Sequence, residues 1–131
     1  MEVFLLKLHG GVRWLAATVA VIALVRFAIG WVRRSEFKGL DRALMAAFAG
    51  LLDLNLLLGV VLLLTLGDGL PGHRLEHATT MLLAVVVAHL AAIWRRSDQA
   101  AVKFRGNLIV VAVAATLIVV GVVRLRGGWV W

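Results

Sequence analysis

Four long apolar stretches, separated by short polar segments, constrain the fold of this chain more than any other feature. They run from about 9 to 32, 40 to 66, 75 to 94 and 107 to 123. A bilayer core about 30 Å thick needs about 20 helical residues, and lipid offers the backbone no hydrogen-bond partner. Each stretch is therefore predicted to be a transmembrane helix. Short connections make sequential helices antiparallel neighbours, so the sequence predicts an all-α, up-down-up-down four-helix bundle forming a single transmembrane domain.

The composition excludes several classes of protein. Hydrophobic residues make up 63% of the chain and charged residues 16%, whereas soluble domains are about 45–50% apolar and about 25% charged. The net charge of +7 does not indicate a nucleic-acid partner, because the basic residues cluster at the ends of the apolar stretches. The absence of cysteine excludes covalent c-type haem attachment and thiolate metal sites. No hydrolase motif is present, which favours an electron-transfer or accessory subunit over an enzyme acting alone.

Lysine and arginine predict the orientation in the membrane. Eight flank the first and third connections and four lie on the opposite side, so the positive-inside rule places both termini outside the cytoplasm. Tryptophans at the predicted ends of the spans fit an aromatic belt. They are Trp31, Trp94, Trp129 and Trp131. The first apolar stretch lacks a small-residue cleavage site, so it is not expected to be a signal peptide.

Two histidines are predicted to lie at the same depth near the outer surface. His9 opens the first helix and His77 lies in the first turn of the third. Helices one and three are diagonal in a bundle connected in sequence order. Two imidazoles that face each other across a bundle core can supply both axial ligands of a b-type haem.

Two arginines accompany these histidines. Arg13 is four residues after His9, on the same helical face, and together with Arg74 it is expected to bind the haem propionates. The glycines beside His9, Gly10 and Gly11, would leave space for a flat ring. An alternative stays open, in which the histidines bond to backbone or water and Arg13 pairs with Glu76.

Asp53, near the middle of the second helix, needs compensation for its charge. An isolated carboxylate there costs about 3 kcal/mol or more, so Asp53 should be protonated or paired with Arg26, His89 or a bound cofactor. A static ion pair with Arg26 is the simpler interpretation. The functional alternative is a carboxyl that carries protons or contacts a quinone. Asn55, two residues later, is expected to point about 200° away, towards a different helix.

His89 lies 12 residues after His77, roughly 18 Å further along the third helix. No histidine remains to serve as its partner in a second bis-histidine haem. We therefore expect His89 to be a structural hydrogen-bonding residue, with a proton relay as the alternative.

Four segments carry a resemblance to a family. Residues 8–14 (LHGGVRW) resemble the "LHSGLRW" opening of small four-helix bacterial membrane proteins, often labelled cytochrome b-like or uncharacterised. Residues 53–59 (DLNLLLG) resemble their second helix, where some relatives have histidine in place of Asp53. Residues 76–86 resemble their "EH…MMLLAVV" third helix, and Lys103-Phe104-Arg105 resembles the "HKR" that starts the fourth. The resemblance implies a shared polar set of His9, Arg13, Asp53, Glu76 and His77, and a bacterial inner-membrane location.

The leading prediction is a small haem b-binding membrane subunit for electron transfer, an accessory or anchor subunit of a larger redox complex. Its predicted partners are the lipid bilayer and either other membrane subunits or further copies of the chain. The alternative is a cofactor-free subunit or a protein that handles protons or small solutes. In it, Arg26, Asp53, Asn55, Glu76 and His89 would form a buried polar network.

Overall fold

The chain forms four helices and no strand within residues 1–67 and 69–126, which the computed structural model describes. The helices are α1 (Glu2–Val32), α2 (Gly39–Thr65), α3 (Gly72–His89) and α4 (Ala100–Arg126). A 3-10 turn at Leu90–Trp94 continues α3. All four segments are long and apolar enough to cross a membrane. The predicted all-α membrane bundle is therefore confirmed. Of the tryptophans predicted for the belt, Trp129 and Trp131 lie outside the described residues.

Two helices begin about seven residues earlier than the hydropathy pattern indicates. The helix predicted from about 9 begins at Glu2, and the one predicted from about 107 begins at Ala100. The segment before Asn107 was wrongly assigned to a connection because it carries Lys103 and Arg105. Lysine and arginine are good helix formers, so a helix can continue past the apolar stretch that spans the membrane.

The helices form a ring in sequence order. Neighbours pack against each other, including α1 against α4, so that α1 and α3 lie on a diagonal. The connections 33–38 and 95–99 lie at one end of the bundle, which we call the basic end because the eight clustered cations flank these connections. The opposite end, where α1 begins and α4 finishes, is called the terminal end.

The half of the bundle nearer the basic end is closely packed around aromatic rings. Phe27, Phe48 and Phe104 are completely buried there. The ring of Phe104 lies directly against the backbone of Gly30, and the ring of Trp94 lies directly against Gly106, so neither glycine has room for a side chain. Small residues let helices approach closely in a membrane, where burial from water does not drive packing.

Candidate functional site

The half of the bundle nearer the terminal end contains a cavity of about 490 Å³ between the four helices. This volume lies in the range of about 300–1,000 Å³ typical of small-molecule and cofactor sites. Most of its walls are aliphatic side chains. The polar lining consists of His9, Arg13, Asn55, Arg74 and His77. All four residues predicted to hold a haem thus line one cavity, together with an asparagine.

His9 reaches this cavity from α1 and packs against α2. A Cβ atom at Gly59 would lie 3.3 Å from His9 Cε1, so the missing side chain makes room for the imidazole. A Cβ at Gly10 or Gly11 would meet no described atom within 4 Å, so their role in leaving space for a flat ring stays a prediction. Gly59 lies on the neighbouring helix, fifty residues from His9 in the sequence.

His77 is oriented by α4. Its Nδ1 lies 3.2 Å from the carbonyl oxygen of Gly121, and because a carbonyl can only accept, Nδ1 carries the proton in this hydrogen bond. Histidines that ligate metals almost always donate their second ring nitrogen to a carbonyl or carboxylate, which fixes the tautomer and the orientation of the ring. The bond to Gly121 gives His77 the tautomer that such a ligand needs, with Nε2 as the basic nitrogen.

The two imidazoles lie at nearly the same level. His9 is seven residues from the start of α1 and His77 is five from the start of α3, which places them roughly 10 Å and 8 Å along their helices. Both helices begin at the terminal end, and α1 and α3 are diagonal in the bundle. The imidazoles therefore approach one cavity from opposite helices at matched depth.

Arg13 and Arg74 supply positive charge to the cavity from the same two helices. The guanidinium carbon of Arg13 also lies 5.5 Å from the ring centroid of Trp14. Glu76 Oε2 lies 3.3 Å from Arg124 Nη2. The alternative pairing of Arg13 with Glu76 stays a prediction.

Asn55 is the polar residue on the α2 wall of the cavity. Its Oδ1 atom is buried and accepts no hydrogen bond from the residues that the structure describes. A buried amide oxygen without a donor is unfavourable by about 1–3 kcal/mol. A ligand that presents a donor at this wall would remove that penalty.

Asp53 lies on the other side of α2, as the expected angle between it and Asn55 requires. Its carboxylate oxygens lie 2.8 and 3.0 Å from His89 Nε2. Both side chains are about half exposed on the outside of the bundle. The interpretation that paired Asp53 with Arg26 is wrong, because α1 presents Arg26 at a level nearer the basic end. Asp53 does not line the cavity that contains His9 and His77.

Arg26 pairs instead with Asp41, which the sequence analysis did not single out. Arg26 Nε and Nη2 donate to the two carboxylate oxygens of Asp41 at 2.6 and 3.0 Å. Asp41 also accepts the backbone N–H of Lys38 at 2.9 Å, which caps the start of α2. The acidic residue three positions after Lys38, in the first helical turn, is the sequence signal that points to this cap. Arg26, Asp53, Glu76 and His89 therefore belong to separate pairs at different levels, and Asn55 belongs to none of these pairs.

The described side chains that line the cavity include only two that commonly ligate metals, His9 and His77. Among the described residues, no three histidine, cysteine or acidic side chains converge on a common point. Two imidazoles alone make an incomplete site for a bare metal ion, which needs four or more protein ligands or water. They suffice for a metal that brings its own in-plane ligands, as haem iron does.

Comparisons of the chain with known protein families, with curated proteins and with solved structures find no match. The resemblance to cytochrome b-like membrane proteins therefore has no support from family membership. The case for a function depends on the geometry of the cavity.

Proposed function

We propose that the chain binds one b-type haem in the cavity near the terminal end and serves as an electron-transfer subunit in a membrane. His9 and His77 are the axial ligands, and Arg13 and Arg74 bind the propionates. The observation that carries the proposal is that all four side chains line a single, mainly apolar cavity of about 490 Å³. When bound, haem supplies a centre that accepts and gives up one electron.

The protein side chains have distinct roles in this proposal. The hydrogen bond from His77 Nδ1 to Gly121 leaves its Nε2 as the ligating atom and fixes the orientation of the imidazole. The aliphatic walls exclude water, which together with the axial ligands sets the reduction potential. Arginine pairs well with carboxylates because its planar fork donates two parallel hydrogen bonds.

Absorption spectra of the purified protein test the proposal. Expression with adequate haem should give an oxidised Soret band and, after dithionite reduction, the sharp bands of a low-spin bis-histidine haem. His9→Ala and His77→Ala should each abolish the low-spin reduced spectrum, because each removes one axial ligand. His73→Ala is a matched control on α3, since His73 is exposed and does not line the cavity.

The spectra can also overturn the ligand assignment. His89→Ala should leave the spectrum unchanged, because His89 binds Asp53 outside the cavity. Loss of the low-spin spectrum in His89→Ala but not in His9→Ala would contradict the assignment. A wild-type protein that stays colourless after haem reconstitution would rule out the proposal.

A second candidate function is proton handling without a cofactor, and one observation favours it. Asp53 and His89 form a hydrogen-bonded pair of titratable groups within two membrane-spanning segments. Ionisable residues at such positions are rare and commonly mark proton relays. A colourless protein that conducts protons in liposomes, and loses conduction in Asp53→Asn, would support this candidate over haem binding.

We further propose that the chain lies in a bacterial inner membrane, with both termini outside the cytoplasm, beside other subunits of a redox complex. The proposal is supported by the eight-to-four excess of lysine and arginine at the basic end. A reporter fused after Trp131 should read as extracytoplasmic and one inserted between Arg95 and Gln99 as cytoplasmic. A cytoplasmic reading at Trp131 would reverse the orientation.

A further inference from the structure

A second cavity, of about 300 Å³, lies at the basic end, between α2, the 3-10 turn after α3 and the start of α4. Three cations line it: Arg42, Arg95 and Lys103. No acidic side chain of the described chain lines it. None of the three cations forms an ion pair with the described residues, in contrast to Arg26 and Arg124. The cavity therefore concentrates positive charge that the protein itself does not neutralise.

The cavity changes from charged to apolar with depth. Below the cations, its walls are mostly small or apolar side chains of α2 and α3, including Met45, Ala46, Ala49 and Ala88, together with His89, whose Nε2 is bonded to Asp53. The ring of Phe37 lies at its mouth, where Lys103 Nζ is 5.5 Å from the ring centroid. A ligand suited to this cavity has an anionic head at the bundle end and an apolar body directed towards the membrane interior.

Asn107 adds a polar group at an intermediate depth. It is 6% exposed and lines the cavity, and its side chain makes no hydrogen bond to the described residues. Lys103 and Asn107 are four residues apart on α4, so they share a helical face and differ in depth by about one turn, roughly 6 Å. The order from the bundle end inwards is cation, amide and apolar wall.

We propose that this cavity binds one anionic glycerophospholipid of the leaflet at the basic end. A glycerophospholipid presents its polar groups in the same order: a phosphate, then ester carbonyls, then acyl chains. Arg42, Arg95 and Lys103 bind the phosphate, the Asn107 amide N–H donates to an ester carbonyl, and an acyl chain packs on the alanine-rich walls of α2 and α3. Basic cavities between transmembrane helices are known to suit anionic lipid head groups. This site shares no described residue with the proposed haem site, so each proposal can be tested without the other.

Native mass spectrometry of the protein in a neutral detergent tests the site. Titration with phosphatidylglycerol should give a one-to-one complex that survives at least about tenfold better than the complex with phosphatidylcholine of the same acyl chains. Inorganic phosphate, added alone, should bind far more weakly because it lacks the ester and acyl contacts. Equal retention of the two lipids, or tight binding of inorganic phosphate, would overturn the proposal.

Matched variants locate the binding to this cavity. Arg42→Gln with Lys103→Gln should lower the retention of phosphatidylglycerol by about tenfold or more and remove its preference over phosphatidylcholine. Arg96→Gln with Arg105→Gln removes the same charge from exposed positions of the basic end that do not line the cavity, so the preference should persist. Equal loss in both double variants would show a general surface effect and contradict the site.

Asn107→Leu tests the proposed hydrogen bond to the ester carbonyl separately from the binding of the phosphate by the cations. It should weaken phosphatidylglycerol and phosphatidylcholine by a similar factor, because both lipids carry the same ester carbonyls. An unchanged retention of both would remove Asn107 from the site. Should the double variant of the cavity fail to fold, the comparison of the two lipids with the wild-type protein still decides the proposal.

Discussion

The two halves of this bundle differ in how closely the same four helices pack along the centre. Near the basic end, buried phenylalanine rings fill the centre and two glycines admit aromatic rings against the helix backbone. Near the terminal end, the helices enclose a cavity of about 490 Å³. Protein interiors contain few voids larger than a water molecule. The half near the terminal end, called the open half, therefore has the space that the proposed haem needs. The half near the basic end, called the closed half, has a filled centre, although the smaller cavity of about 300 Å³ lies at its end.

The two halves should differ most in the free energy of unfolding that is lost when a large apolar side chain is replaced by alanine. Phe104→Ala should lower the free energy of unfolding by about 3–5 kcal/mol, because it leaves a void where a completely buried ring now packs. Leu63→Ala, on the wall of the larger cavity, should lower it by less than about 1 kcal/mol, because that side chain already borders open space. Unfolding in mixed detergent–SDS micelles measures both. Similar losses would show that the two halves do not differ in packing.

A smaller effect is expected from the ion pair in the closed half. Arg26→Leu should lower the free energy of unfolding by about 2 kcal/mol, because it leaves the carboxylate of Asp41 buried without its cation. The loss is below that for a fully buried pair because the side chain of Arg26 is 36% exposed. Adding Asp41→Asn removes the charge but keeps an oxygen to accept the Lys38 N–H. It should recover most of the loss.

The pair of Asp53 and His89 is the control for the pair of Arg26 and Asp41. Both side chains are about half exposed, so the coupling energy between Asp53→Leu and His89→Leu in detergent should stay below about 1 kcal/mol. Arg26→Leu and Asp53→Leu should have additive effects, because the two residues are not partners. A strong coupling between Arg26 and Asp53 would contradict the observed pairing.

The smallest effect on stability is expected in the open half, at Gly59. Gly59→Leu should change the free energy of unfolding by less than about 1 kcal/mol, because leucine favours the helix and enters existing space. Its Cβ, 3.3 Å from the His9 imidazole, should nevertheless displace that ring and abolish the low-spin haem spectrum. Gly50→Leu is the control on the same helix, since a Cβ there meets no described atom within 4 Å. A haem spectrum that survives Gly59→Leu would argue against His9 as a ligand.

The fold was predictable because lipid imposes a strong rule on local sequence. A continuous apolar stretch of sufficient length must be helical in a bilayer, and short connections order the helices. The shared depth of His9 and His77 followed from the same arithmetic. Hydropathy marks where a helix is apolar and not where it ends, so the first two turns of α4 were missed.

The partners of individual side chains were less predictable, because they depend on how each helix is rotated about its axis. Asp53 and Asn55 were correctly expected to face different neighbours, but nothing local shows that Asp53 faces α3 and not α1. Gly59 was missed for the same reason. Its importance arises from the approach of His9 on another helix, which the local sequence does not show.

The 3-10 turn that completes α3 also affects how the bundle fits a membrane. The 18 residues of α3 rise roughly 27 Å, and the five residues of the turn add about 10 Å because a 3-10 helix rises about 2.0 Å per residue. The 31 residues of α1 extend roughly 46 Å. One side of the bundle is thus shorter than the side diagonally opposite. A longer helix is accommodated by tilting or by extending past the apolar layer of the membrane. The extended turn reduces the difference in length by roughly 2–3 Å relative to an α-helical ending, and with it α3 reaches about 37 Å, enough to cross an apolar core about 30 Å thick.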